Sequence, residues 1–469
     1  MISFEHRQRK GILQQQKLHT KDDQFQIFSK LYQFHKRIFI LESLVGPKEL
    51  AEISIIGFDP ELVVRCDSTK LCIQDRKGRM VYTAKITDPL GQLRRILPEV
   101  NDYQYRYAGG AVGFISYDAI HFWERVQFKD NRARVFPLLE FGIYNDGILY
   151  NHSENAAYYF TIGKSRLTKI QNELNCAKGY FKSPLSYSLP KSSISKRRFV
   201  RMVNKAKRYI YQGDIFQVVL SKNISFRIKG DLLSVYSKLR EVNPSPYMYF
   251  LKINDTAVIG SSPEMLIRVT GDYVETFPIA GTRPVVKSEI ENERLRKELL
   301  IDEKEVAEHT MLVDLARNDL GRVCKYGTVK VQELMSIKKF SHVQHIVSHV
   351  EGYLRDHLDS YDAFRAVFPA GTVSGTPKVR AMEIIEELEP HSRELYAGAI
   401  GYFSANGSCD FAITIRSLII KKDKASIQSG AGIVMDSIPD KEWIETQDKA
   451  SGLLSALKAA AARRKRQAT

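Results

Sequence analysis

Apolar residues recur along the chain at two different periods. Phe199, Val203, Ala206 and Ile210 follow three- and four-residue spacing, and Gly213 supplies a stop, which predicts an amphipathic helix. Directly after it, IFQVVLSKNISF (215–226) is rich in β-branched and aromatic residues and reads as a strand, as do 247–253, 264–269 and 273–279. Helical patterns return at 288–317, 377–388 and 440–461, and Gly-punctuated strands occupy 398–404, 410–420 and 425–430. Strands and helices arrive in clusters rather than in strict alternation. That predicts an α+β fold with mostly antiparallel sheets, not a doubly wound parallel one.

The periodicity lapses at KSPLSYSLPKSSISKRR (182–198), a stretch of Ser, Pro and Lys that reads as a linker. It separates an N-terminal lobe at 25–181 from a larger lobe at 199–462, with an arm at 1–24 and a basic tail at 463–469. Of 469 residues, 43% are hydrophobic and 26% charged, enough apolar material for a large core. No window approaches 18 consecutive apolar residues, which excludes a transmembrane helix. The polar, basic start is unlike a secretory signal, so a cytoplasmic location is expected. Five cysteines, an odd number with no CxxC pair, read as reduced core residues rather than bridges or zinc ligands. The net charge of +16 is compatible with an anionic small substrate, an acidic partner or a plain solvated surface. No zinc-finger, RNA-recognition or basic-zipper pattern accompanies it, which argues against nucleic acid.

Some clusters could carry chemistry. Glu305 and Glu308 share a helix face, Glu442 and Glu445 repeat the spacing, and Lys449 follows a turn later. Two such helices could hold Mg²⁺ through oxygen ligands, although most pairs at this spacing are solvated surface. GTVSGTPKVRAM (371–382) reads as a Gly-rich loop entering a helix, with Thr376 as N-cap, Pro377 in the first turn and Lys378 near an anion-receptive terminus. It lacks the Gly-Lys-Ser/Thr of a P-loop. QSGAGIV (428–434) reads as a second loop whose glycines let backbone donors approach a carboxylate. His345 lies beside His342 and His349 in an apolar run, where a packed core histidine is the ordinary reading. Neither a GxSxG elbow nor an HExxH or EF-hand motif occurs.

Taken together the motifs carry more than any one of them. PIAGTR (278–283), DEKEVAEHTMLVDLARNDLGRV (302–323), GTVSGTPKVRAM, GAIGYF (398–403), IQSGAGIV (427–434) and DKEWIETQDKA (440–450) occur in the order found in chorismate-utilising enzymes, which the chain resembles over about 200–460. ILES (40–43), IIGFDP (55–60) and GGAVGFISYD (109–118) extend the resemblance to the large subunits, or components I, of anthranilate synthases. Aminodeoxychorismate synthases, the alternative, usually have Lys where this chain has Ala280. Water-using relatives have Lys at the position of Gln217, and an amide cannot deprotonate water. Val285, where many relatives have Arg, is a departure.

The resemblance implies a fold of two large, mostly antiparallel sheets packed as a sandwich with helices outside. It implies chorismate and ammonia as substrates, Mg²⁺ as cofactor, and a glutamine amidotransferase (component II) as a separate chain, since no cysteine here has a GxCxG-type setting. By the same resemblance Glu264 is the general acid for the departing C4 hydroxyl and His345 handles the proton at C2, with Thr282 and Gln217 marking an ammonia user. Glu308 and Glu445 hold the metal, supported by Glu305 and Glu442. Tyr402 and Arg416 hold the enolpyruvyl carboxylate, and Gly281, Thr372, Gly430, Ala431, Gly432 and Lys449 complete the substrate pocket. Glu42, Ser43, Pro246, Tyr247 and Met248 match a feedback pocket for L-tryptophan.

Overall fold

The computed structural model describes residues 10–45, 52–126, 128, 134–177, 184–339 and 343–462. The tail 463–469 and His342 lie outside them. Two large sheets, of 12 and 13 strands, make up the fold, and every ladder in them is antiparallel. A two-stranded parallel pairing of Lys10–Gly11 with Glu99–Val100 lies apart.

Each sheet draws strands from both stretches of sequence flanking 182–198. In the first sheet Ala399–Ser404 pairs with Gly110–Ile115, and in the second Tyr247–Ile253 pairs with Arg37–Glu42. The glycines of GAIGYF and GGAVGF explain the first junction. Gly401 and Gly113 are paired across it, and a Cβ on either would sit 2.1 or 2.0 Å from the carbonyl of Asp410 or Glu140. No other residue fits such a close backbone approach.

Strand alternation decides what each face buries. Phe39, Val112, Phe114, Tyr249, Ile400 and Ala412 come from both sheets and fill the space between them. Their neighbours Ile38, Ile40 and Phe250 face a helical layer on one outer side, and Phe403 and Phe411 face another. The predicted sandwich is thus present, helices outside.

Boundaries differ from the sequence reading where local capping intervenes. The helix expected from Phe199 begins at Lys196, because the Ser195 side chain accepts from the Arg198 amide and caps it. The run at 288–317 is two helices, Glu289–Ile301 and Glu303–Gly321, broken where Asp302 turns extended and caps the second. QSGAGIV is not a loop: it forms the end of the long strand Lys424–Ile433, paired with Gln217–Lys229. Within 182–198, Ser186–Tyr187 and Lys191–Ser192 pair onto Gln217–Lys229, two-residue contacts too short to leave a period. Among the cysteines Cys66, Cys324 and Cys409 are buried, but Cys176 is exposed, so not all are core residues. No helix among the described residues is long and apolar enough to cross a membrane.

Candidate active site

A cleft of about 640 Å³ is lined by strands of both sheets. Its walls are the paired strands Gln217–Lys229 and Lys424–Ile433, the bulged strand Ile279–Pro284, and the first turns of the helices Glu303–Gly321 and Pro439–Ala462. Into it come Gln217, Glu264, Gly281, Thr282, Glu305, Glu308, His345, Thr372, Arg416, Gly430, Gly432, Glu442, Glu445 and Lys449. Residues separated by more than 200 positions in sequence therefore share one cavity.

The bulge explains the placement of His345 and Thr282. Between Ala280 and Arg283 the ladder to Val343–Tyr353 slips, and Gly281 takes a φ of +64° that suits glycine. Its carbonyl accepts from His345 Nδ1 at 2.8 Å, with Thr282 Oγ1 3.1 Å from the same nitrogen. A carbonyl can only accept, so in the neutral ring Nδ1 carries the proton and Nε2 the lone pair. Burial holds the His345 pKa below the ordinary histidine value, with Arg416 and Lys449 adding to the effect, so the ring is a base at neutral pH. Glu264 stands just before Met265–Thr270, and its carbonyl accepts from the Ile413 amide at 3.1 Å. Burial pushes its carboxyl up to about 8 despite the opposing pull of Thr372 and Lys449. A protonated carboxyl at pH 7 is what proton donation requires.

The cleft carries both signs of charge, and the ion pair of Lys449 with Glu445 at 2.6 Å joins them. The two helices present Glu305, Glu308, Glu442 and Glu445. Burial and the neighbouring carboxylates push Glu308 up to about 7, and burial raises Glu442 as well. Like charges held together at this cost are relieved by a cation. Lys304, 3.8 Å from Glu308, is a weak partner. Among the described residues no three acidic, histidine or cysteine side chains converge to hold a metal unaided. Such a donor set suits an ion that keeps waters and completes its shell with substrate oxygens. Arg416, at a left-handed φ of 50°, donates to the Lys449 carbonyl at 2.7 Å, and Lys449 Nζ donates to the Gly430 carbonyl at 3.0 Å. Among the described residues no carboxylate pairs with Arg416, which makes it the available anchor for an anion.

Several expected site residues lie elsewhere. Tyr402 is outside the cleft: it shares its face of Ala399–Ser404 with Ile400, which points between the sheets, and its ring packs edge-on against Tyr107. Ala431, between the two cleft glycines, turns its side chain into an apolar cluster under the helices, which leaves only its backbone to the cleft, the part the motif implicated. Thr376 is not an N-cap but a strand partner of Gln217, and Pro377 holds the cap position of Lys378–Leu388. Lys378 is bonded to Asp319 at 2.6 Å and to the Val367 carbonyl, so it receives no outside anion. His349 is a packed residue, stacked on Phe277 and paired with Glu275. The residue missed is Tyr396, whose hydroxyl lies 2.5 Å from where a Cβ on Gly430 would stand. The signal was available, since YAGAIGY holds two tyrosines and only the first precedes the strand.

A second, narrow pocket of about 60 Å³ lies between the sheets, lined by Ser43, Pro246, Tyr247, Tyr402, Asp410 and Arg268 among others. Glu42 and Met248 touch it only from strands whose alternation carries their side chains toward the helical layer. The Glu42 carboxylate accepts from Arg240 at 2.7 and 3.0 Å and from the Tyr236 hydroxyl at 2.7 Å. It is therefore not available to an incoming ammonium group. Asp410 faces the pocket instead, held by Arg268 at 2.7 Å and accepting from Tyr247 at 2.9 Å.

A cleft with an acid, a base, a cation-seeking carboxylate group and an anion anchor belongs to a defined class. The chain is a member of the chorismate-binding enzyme family, which it matches over residues 36–455. Within it, the chain is 47% identical to anthranilate synthase component 1 of Methanothermobacter marburgensis, covering 93% of each chain. It is 42% identical to the component 1 of Saccharolobus solfataricus, covering 92% of this chain and 96% of the relative. Its structure is similar to anthranilate synthase component I of Streptococcus pneumoniae, with a TM-score of 0.74, 35% identity, and coverage of 88% and 94%. The fold also matches a menaquinone-specific isochorismate synthase of Escherichia coli at a TM-score of 0.70 and 18% identity, covering 96% and 95%.

Proposed function

We propose that the chain is the large subunit of an anthranilate synthase, adding ammonia to C2 of chorismate as the C4 hydroxyl leaves and then eliminating pyruvate. The observation that carries this reading is the convergence in one cleft of the buried Glu264 carboxyl and the His345 ring, which the Gly281 carbonyl orients at 2.8 Å. Glu264 donates its proton to the departing hydroxyl, which leaves as water rather than hydroxide. The His345 ring, oriented by the Gly281 carbonyl, takes the C2 proton as the enolpyruvyl group departs. Arg416, with Tyr396 beside it in place of Tyr402, binds the enolpyruvyl carboxylate. Glu308 and Glu445, supported by Glu305 and Glu442, would hold Mg²⁺, which supplies charge neutralisation at the ring carboxylate when bound. Gln217 and Ala280 stand where water-using and lysine-nucleophile relatives carry a base or nucleophile, which favours ammonia and the anthranilate branch over aminodeoxychorismate.

Ammonia comes from a glutamine amidotransferase on a separate chain in this reading, and L-tryptophan acts at the narrow pocket between the sheets. Purified protein given chorismate, Mg²⁺ and ammonium should form anthranilate, read by its fluorescence, with no second subunit. Accumulation of aminodeoxychorismate or isochorismate would refute the assignment.

A further inference from the structure

Lys222 is 3% exposed, and among the described residues no carboxylate pairs with it. Its ammonium sits 3.3 Å above the centroid of the Trp443 indole. Phe199 packs edge-on against the same ring at 5.6 Å. Trp443 lies in the first turns of Pro439–Ala462, between Glu442 and Glu445, both of which line the cleft. From Pro439 to Thr446 it is the one large apolar side chain turned inward, since Ile444 is half exposed. Thr446, fully buried, and then Ala450 and Leu453 continue that inward face along the helix. The seating of Trp443 therefore helps set the rotation of these first turns, alongside buried Thr446 and the 2.6 Å ion pair of Glu445 with Lys449. A desolvated cation over an indole face is a strong, directional contact that grips the ring from one side. Ser429, paired with Lys222 across the ladder, holds the Thr446 carbonyl at 2.7 Å and secures the next turn.

We propose that Lys222 and Trp443 are a positioning pair that orients Glu442 and Glu445 for a divalent cation, a role that rests on the metal reading given above. Charge and position predict opposite signs on removing the ammonium. Losing a nearby positive charge alone should tighten cation binding, whereas losing the grip on Trp443 should weaken it.

The test uses full-length Lys222→Met, Lys222→Arg and Trp443→Phe, each checked for fold by circular dichroism. Two readouts are followed. One is the Mg²⁺ concentration for half-maximal turnover. The other, without chorismate, is Mg²⁺ titration of Trp443 emission in a Trp123→Phe background, which leaves Trp443 as the single tryptophan. Lys222→Met should raise the half-saturating Mg²⁺ about tenfold in both readouts while turnover at saturating Mg²⁺ changes less than about twofold. Lys222→Arg, which also stacks on indole, should stay near wild type in both readouts, and Trp443→Phe, with its weaker ring and no emission to follow, should fall between in the Mg²⁺ dependence of turnover. Lys222→Gln, which also removes the charge and keeps Trp443 as reporter, carries both readouts if Lys222→Met does not fold. A folded Lys222→Met with unchanged or lower half-saturation overturns the proposal alone. A wild type whose turnover and Trp443 emission both ignore Mg²⁺ overturns it together with the metal assignment.

Discussion

Tyr396 and Tyr402 lie six residues apart, yet only the first reaches the cleft. Tyr396→Phe should raise KM for chorismate about tenfold, the effect of one hydrogen bond to a charged group. Tyr402→Phe should leave KM and kcat near wild type, and steady-state kinetics on both variants decides between them. Glu264 carries a pH prediction. Its folded pKa is raised from 4.5 to about 8, so the fold holds a proton that the unfolded chain releases. The stability this supplies is fully present below pH 4.5 and is lost as pH rises through about 8. Activity follows the same sign: kcat/KM should fall as pH rises through about 8, where the acid ionises. Glu264→Gln should lower kcat by at least about 10²-fold and remove that limb from the profile. Glu264, His345 and Arg416, each named by a motif, do share one cleft, while their roles belong to the proposed function. Tyr402 and Glu42 depart from their expected places for one cause. A motif gives position along a strand, while a one-residue step decides which face a side chain takes, and register is not written in the motif.

Four carboxylates reach the cleft because two helices, Glu303–Gly321 and Pro439–Ala462, point their first turns at it. Glu308→Gln and Glu445→Gln should each reduce turnover by more than about 10²-fold, because each removes an anionic ligand from a hard cation. Glu308→Gln should also act on stability in the opposite direction. With a folded pKa raised from 4.5 to about 7, Glu308 carries a charge above pH 7 that burial and its neighbours oppose. Its contribution to stability is present below pH 4.5 and lost as pH rises through about 7. Metal-free Glu308→Gln should therefore melt about 2 °C above wild type at pH 8, with little difference at pH 4. Added Mg²⁺ should then raise the wild type and leave the variant unmoved, which calorimetry reads directly. The helices and long strands were legible from apolar period alone. The break at Asp302 and the start at Lys196 were not, because an N-cap is one side chain's hydrogen bond and leaves the period untouched. The edge pairings at 186–187 and 191–192 escaped for the same reason, being shorter than any period.

Both sheets run across the junction between the two stretches of chain, so a ligand wedged between the sheets bears on the cleft without touching it. The narrow pocket sits at that junction. Tyr247, on its wall, is paired with Ser262, two residues before Glu264. Asp410, on the opposite wall, shares the strand Cys409–Ile413, whose last amide holds the Glu264 carbonyl and whose last carbonyl accepts from Ser262. Both walls therefore end on the backbone that positions the general acid. At about 60 Å³ the pocket admits an indole only if its strands part, which changes those two ladders. On the proposed regulatory reading, inhibition follows from differential affinity, with L-tryptophan binding the parted arrangement and Glu264 aimed for catalysis in the closed one. With Glu42 committed to Arg240 and Tyr236, recognition of the amino acid falls to Ser43, Tyr247 and the Asp410–Arg268 pair. Ser43→Phe fills the pocket and should raise the tryptophan concentration for half-inhibition by more than about tenfold while keeping most of the turnover. Met248→Thr should also weaken inhibition, but through the helical layer that Met248 packs against, with a loss of thermal stability that Ser43→Phe does not share. Anthranilate formation measured against tryptophan, with melting curves for each variant, separates the two routes. Wild-type activity indifferent to tryptophan would remove the pocket's regulatory role and leave the chemistry of the cleft as it stands.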